Sequence, residues 1–249
     1  VNAGNSIQSG GNYNTVVGDE AGTAITTGSN NTAIGYAALD ANNTGAANVA
    51  IGTNALAVNT SGQQNVAVGS LALSANTDGL QNTATGYQTM FSNTEGDGNT
   101  ASGHAALYAN TTGGSNTAIG YYALVYNQTS GNNTAVGYKS LEQNTTAPNN
   151  TAVGHSALNK TTTGASNVAI GRNALLTNVT GADNVAVGYK ALDVSLGSYN
   201  VAVGSLALQK NTTGNSNVAV GRDALGANVG ANNNVAIGQG ALGGNTSGG

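Results

Sequence analysis

The chain has 249 residues, of which 39% are hydrophobic but only 4% aromatic and 6% charged, and its formal net charge is −4. This acidic balance provides no basic face for a nucleic-acid backbone, and the absence of cysteine rules out disulfides and thiolate metal sites. No run of about 18 apolar residues is present, so the sequence predicts no membrane insertion of this segment.

The first predicted element is the strand motif Asn14-Thr15-Val16-Val17-Gly18, and close variants of it recur along the chain. Such internal repeats indicate a repeat architecture. Twelve of the thirteen intervals between the closing glycines are 17 residues long, and the interval from Gly188 to Gly204 is 16. The closing glycines are Gly18, Gly35, Gly52, Gly69, Gly86, Gly103, Gly120, Gly137, Gly154, Gly171, Gly188, Gly204, Gly221 and Gly238.

We number the columns of the repeat from this glycine, which is column 0. Column −4 is Asn in all fourteen copies, column −2 is Ala in thirteen, and column +4 is Leu in twelve. Column −3 is Thr or Val, and column −1 is Val or Ile except at Thr85 and Ser102. Columns −3 to −1 therefore predict a short strand. Columns +7 to +10, for example Asn110-Thr111-Thr112-Gly113, predict a turn.

Seventeen residues are too few for two packed helices, and an Asn and a Gly in every copy oppose helix formation. One coil per repeat instead places each strand beside its copy in the next coil, in parallel pairing. The sequence therefore predicts an all-β fold, a parallel β-solenoid of about fourteen coils. We expect one repeat domain over residues 1–249, with partial first and last coils and no caps. The short interval should lose its residue near Leu196 and Gly197, leaving Asn200 in register.

All sixteen charged residues lie outside columns −4 to 0, +3 and +4. Because an unpaired buried charge is costly, these columns are predicted to be buried and the remaining positions to face solvent. Alternation along the strand puts Asn, Ala and Gly on one face and Thr/Val and Val/Ile on the other. The sequence does not decide which face is internal. An exposed Val/Ile stripe favours a homotrimer, and the alternative is that the Leu column folds over this stripe.

The pattern Asn-x-Val/Ala-Ile-Gly-x-x-Ala resembles the head repeats of trimeric autotransporter adhesins. The longer pattern Asn-Thr-Ala-Ile-Gly-Tyr-x-Ala-Leu, followed by Asn-Thr-Thr-Gly, is similar to repeats of bacteriophage tail fibres and bacterial surface fibres. The resemblance covers residues 12–248. It implies a left-handed parallel β-roll, three chains about a common axis, and adhesion to a host surface. The adhesin head repeat is usually shorter, and no stalk, anchor or fibre chaperone domain lies within these residues.

Column +1 varies between coils, yet nine of its fourteen residues are Tyr, His or Arg. Exposed Tyr and Arg are typical of binding surfaces, and the alternative is that each Tyr covers the glycine corner of a neighbouring coil. We predict a ligand-binding stripe for a cell-surface glycan or receptor along Tyr36, Tyr87, His104, Tyr121, Tyr138, His155, Arg172, Tyr189 and Arg222.

The sequence predicts no catalytic site, metal site or cofactor. No acidic column recurs, and the two histidines, His104 and His155, lie three coils apart, too far for one metal ion or one acid–base pair. The expected function is an extracellular adhesin or receptor-binding fibre segment, on a cell surface or a virion. The alternative is a structural filament whose subunits stack end to end. An ice-binding solenoid is a remote third hypothesis, because Thr in both columns −3 and −1 occurs only at Thr83 and Thr85.

Overall fold

The computed structural model describes residues 3–7 and 10–246, and these residues form three-residue strands and turns without any α-helix. The chain is therefore an all-β parallel solenoid with a 17-residue repeat, as predicted. It divides into two compact units, unit 1 (residues 1–129) and unit 2 (residues 130–249). The expected partial last coil includes residues 247–249, which lie outside the described residues.

Each unit contributes seven strands, one for each coil. Those of unit 1 are β1 (Thr15–Val17), β2 (Thr32–Ile34), β3 (Val49–Ile51), β4 (Val66–Val68), β5 (Thr83–Thr85), β6 (Thr100–Ser102) and β7 (Thr117–Ile119). Those of unit 2 are β8 (Thr134–Val136), β9 (Thr151–Val153), β10 (Val168–Ile170), β11 (Val185–Val187), β12 (Val201–Val203), β13 (Val218–Val220) and β14 (Val235–Ile237). Within each unit, consecutive strands pair in parallel and identical columns face each other, as in the pairing of Val49 with Val66.

Hydrogen bonding between coils continues beyond the strands. In the turn segments, the N–H of Leu56 donates to the carbonyl of Ala72 at 3.0 Å, and the N–H of Thr60 donates to that of Thr77 at 2.9 Å. Coils are therefore tied together at several points of their circumference. These hydrogen bonds give partners to backbone groups that would otherwise be buried and unpaired. They also hold each coil in register with the next.

The column-0 glycines stack coil upon coil within each unit, which confirms the predicted register. Gly52 has a φ of 132°, and a Cβ placed on it would lie 2.7 Å from the carbonyl carbon and oxygen of Gly69. The chain turns this corner with backbone in direct contact with backbone. Only glycine supplies both the left-handed φ and the space.

The strand faces resolve the question that the sequence left open. The column −2 alanines are buried, whereas the side chains of columns −3 and −1 point outward, with Ile51 37% and Ile170 42% exposed. The Leu side chains of column +4, such as Leu56, are fully buried except for Leu242 in the last coil. The alternative in which the Leu column covers the Val/Ile stripe is therefore wrong, because leucine fills the interior of its own coil.

The Asn residues of column −4 form a buried ladder inside each unit. The backbone N–H of Asn65 donates to Oδ1 of Asn48 at 3.0 Å, and Nδ2 of Asn65 donates to the carbonyl of Gly79 at 2.8 Å. Each such bond contributes about 1 kcal/mol, and leaving a buried amide unpaired costs about 1–3 kcal/mol. The ladder therefore requires Asn at this column in every coil.

A second Asn ladder corrects the expectation that all other columns face solvent. The column +7 residues Asn42, Asn59 and Asn76 are fully buried, and Nδ2 of Asn59 donates to Oδ1 of Asn42 at 2.7 Å. The column +10 glycines beside them are buried as well. In unit 1 the predicted turn is therefore part of the core, because the amides of these residues are paired along the stack.

In unit 2 this second ladder is interrupted where column +7 is Thr161 and Ser195. Ser195 belongs to the 16-residue coil, which lacks one residue between it and Gly197. The shortening leaves the strand register intact, since Val185 pairs with Val201 and the N–H of Asn200 donates to Oδ1 of Asn184 at 2.9 Å. The predicted position of the deletion, around Leu196 and Gly197, is confirmed.

The buried leucines adopt a backbone conformation that is unusual for this residue. Leu39 and Leu56 have φ values of 54° and 50°, a left-handed region that costs a non-glycine residue roughly 1–2 kcal/mol. Burial of a Leu side chain stabilises the folded state by about 1.5–3 kcal/mol. The N–H of Leu39 also donates to the carbonyl of Ala55 at 2.9 Å. The stacked environment therefore outweighs the local strain.

Candidate functional site

The column +1 side chains lie on the outside of the coil, because column 0 turns the chain immediately before them. Tyr36, Tyr87, Tyr121, Tyr138 and Tyr189 are all 43–50% exposed. Half of each ring is therefore in contact with protein and half is available to a ligand. Most of these side chains pack against an aromatic or cationic neighbour in the next coil, and they form an aromatic ladder in each unit.

In unit 1 the ladder joins three of the predicted residues. The ring centroids of Tyr87 and His104 are 5.5 Å apart, and those of His104 and Tyr121 are 5.1 Å apart with an interplanar angle of 19°. This separation follows from the distance between paired strands, about 4.8 Å. Aromatic side chains in the same column of successive coils must therefore stack, and the stack holds them in place.

In unit 2 four more of the predicted residues form two contacting pairs. Tyr138 and His155 stack with centroids 4.9 Å apart, and the guanidinium of Arg172 lies 5.9 Å from the centroid of the Tyr189 ring. At such a distance a cation is attracted to the face of the ring. The predicted residues Tyr36 and Arg222 are separated from the ladders by Ser or Thr in column +1.

Tyr36 and Arg222 have acidic neighbours. The carboxylate of Glu20 accepts a hydrogen bond from the Tyr36 hydroxyl and repels its phenolate, so the pKa of Tyr36 is raised above its usual value. Nε of Arg222 lies 3.0 Å from a carboxylate oxygen of Asp223. Both residues therefore present a polar group that is paired within the chain.

Lysines flank the ladder in unit 2. Nζ of Lys139 lies 5.7 Å from the Tyr138 ring centroid and Nζ of Lys190 lies 5.8 Å from that of Tyr189. Lys190 also lies 3.6 Å from the carboxylate of Asp193. Burial raises the pKa of this carboxyl group, and the charge of Lys190 opposes the rise. The surface therefore combines aromatic faces with fixed cations, which suits binding of polar ligands by stacking.

Three aromatic residues that column reasoning missed lie beside the unit 1 ladder. Tyr108, Tyr122 and Tyr126 occupy columns +5, +2 and +6 and line a cleft in that unit. Their clustering is a usable signal in the sequence, since six of the eleven Tyr and Phe residues fall between residues 87 and 126. The column pattern does not reveal this cluster, because the three residues belong to three different columns.

Over residues 3–7 and 10–246, no three His, Asp or Glu side chains converge in a way that could hold a metal ion. In the same part of the chain, no helix has the length and apolar character needed to cross a bilayer. No protein-family model matches the chain, and no curated protein matches it.

Proposed function

We propose that this chain is a segment of an extracellular fibre, a bacterial adhesin or a phage receptor-binding fibre, that acts as a homotrimer and not as an enzyme. The observation that supports the proposal best is the half-exposed aromatic ladder of column +1, held on a backbone whose coils are hydrogen-bonded to one another. A column of rings along each unit fits adhesion better than it fits catalysis, which requires converging groups.

The proposed trimer follows from the outward strand face. In unit 2, column −1 is apolar in all seven strands: Val136, Val153, Ile170, Val187, Val203, Val220 and Ile237. Monomeric soluble proteins rarely expose contiguous apolar patches larger than a few hundred Å². Another copy of the chain is the partner we propose, because its side chains repeat at the same spacing and can match this stripe coil by coil. The family resemblance implies the same arrangement, with three left-handed rolls about one axis.

The proposed ligand is a repetitive cell-surface polymer, and a polysaccharide fits best. Tyrosine rings stack on the apolar faces of sugars, while their hydroxyls and the neighbouring cations bind sugar oxygens. Single contacts of this kind are weak. A line of equivalent sites in each of three chains would raise the overall avidity by several orders of magnitude.

The test is a triple substitution, Tyr121→Ser with Tyr138→Ser and Tyr189→Ser. We expect the coil to fold normally, because these rings are half exposed, and binding to target cells or to a glycan array to fall at least about tenfold, since avidity multiplies each loss. Circular dichroism verifies the fold. Unchanged binding by the folded triple variant would contradict the proposed stripe.

The matched control replaces Tyr13 and Tyr199 with Ser. Both rings are exposed, at 85% and 64%, and both lie in column −5, away from the ladder. Binding should be retained in this variant. If the native chain binds no surface and instead polymerises end to end, the structural-filament alternative is favoured. Inhibition of ice growth by the native chain would favour the ice-binding hypothesis.

A further inference from the structure

Unit 1 contains a cleft that the column +1 stripe does not include. It has a volume of about 210 Å³ and is lined by Gln88, Ala105, Tyr108, Tyr122, Val125 and Tyr126. It forms because column +2 holds Gln88, then the small Ala105, then Tyr122 in three successive coils. The small side chain of Ala105 leaves a gap between Gln88 and Tyr122.

The walls of the cleft are held in place by stacking. The Tyr108 ring packs on Phe91 with centroids 5.2 Å apart and an interplanar angle of 6°. The Tyr122 ring lies 4.2 Å from that of Tyr121 and 5.5 Å from that of His104. A ligand would therefore meet rings that are already positioned, which reduces the entropy lost on binding.

The lining selects the kind of ligand. The residues that line the cleft carry no charge, so the cleft suits a neutral ligand. Its volume is below the roughly 300–1,000 Å³ typical of pockets for drug-sized molecules, so the cleft fits a single ring. Tyrosine hydroxyls and the Gln88 amide can hydrogen-bond a ligand that carries several hydroxyls.

We propose that this cleft binds one neutral pyranose ring, stacked against the tyrosines and oriented by Gln88. The site goes beyond the proposed column +1 stripe, because its lining residues occupy columns +2, +5 and +6. It lies within one chain and one unit, and it does not depend on trimer formation. It would act as a terminal-sugar or single-residue pocket beside a surface that contacts a longer polymer.

The experiment is saturation-transfer NMR on the full chain with three probes, the methyl glycosides of glucose, galactose and N-acetylglucosamine. We expect transfer to at least one glycoside. Ala105→Gln should reduce its affinity at least tenfold by filling the gap, and it should fold, because Gln88 holds the same column with nearly the same φ, 54° against 51°. Tyr126→Ala should also weaken binding at least tenfold, and alanine already occupies column +6 at Ala109.

Tyr36→Ser is the control, since Tyr36 belongs to the column +1 stripe but not to the cleft, and glycoside binding should be retained. The proposal is overturned if the native chain binds none of the three glycosides, or if neither cleft variant changes their binding. It is also overturned if p-cresol, a mimic of a tyrosine side chain, binds in the cleft and the glycosides do not. If the native chain adheres to no polymer but binds a glycoside, the stripe is rejected and the cleft proposal stands.

Discussion

The Ala135→Asp chain is expected to lose the folded structure of unit 2. Ala135 is fully buried in column −2 and pairs with Ala152 in the next coil. A carboxylate at this position would be surrounded by stacked alanines without a cation, and burying an unpaired charge costs several kcal/mol. A typical domain is stable by only about 5–15 kcal/mol. Circular dichroism and urea unfolding measure the loss.

Tyr138→Asp in the same coil is the matched control. Tyr138 is 45% exposed in column +1, so a carboxylate there remains hydrated, and surface substitutions usually change stability by no more than about 0.5 kcal/mol. A folded Ala135→Asp chain with the native unfolding midpoint would show that the alanine column is not the core.

Gly52→Ala is expected to lower the free energy of unfolding by about 3 kcal/mol or more. The new Cβ would lie 2.7 Å from the backbone of Gly69, and the φ of 132° is strained for alanine. Overpacking typically costs about 1–3 kcal/mol, and a strained φ adds about 1–3 kcal/mol. Because the clash is with backbone, no side-chain rotation can relieve it. Urea unfolding followed by circular dichroism gives the free-energy difference.

Gly98→Ala tests whether the effect comes from contact and not from the loss of glycine. Gly98 lies in column −5 of the same unit, and its nearest neighbour would be Oγ of Ser115 at 3.9 Å. Alanine is already tolerated in this column, since Ala47 has a φ of 57°. We expect a change within about 1 kcal/mol. Equal losses from both substitutions would contradict the stacked-glycine account.

Much of the fold could be predicted because the repeat supplies the same evidence fourteen times. The Gly column fixed the period, and the Asn and Ala columns identified a buried strand face. The absence of charge from these columns supported the same conclusion. The shortened coil could be placed near Leu196 because Asn200 keeps its distance from its own closing glycine, Gly204.

The remaining features depend on contacts that a column pattern does not express. Asn at column +7 is typical of an exposed turn, and only stacking of Asn59 on Asn42 makes it a core residue. The left-handed backbone of Leu39 contradicts its intrinsic preference and is stabilised by burial. The cleft at Ala105 depends on three columns meeting in space. The residues of the candidate stripe could be identified because they all occupy column +1 of the repeat.

The molecular mass of the native chain in solution tests the central claim, that copies of the chain cover the outward stripe. Light scattering should give three times the chain mass of 24.2 kDa. Val136→Asp combined with Val187→Asp should give a folded monomer, because both side chains point outward and the charges oppose burial between chains. The control chain with Val136→Thr and Val187→Thr should remain trimeric, since Thr85 already occupies column −1. A native chain that is a stable, soluble monomer would contradict the account.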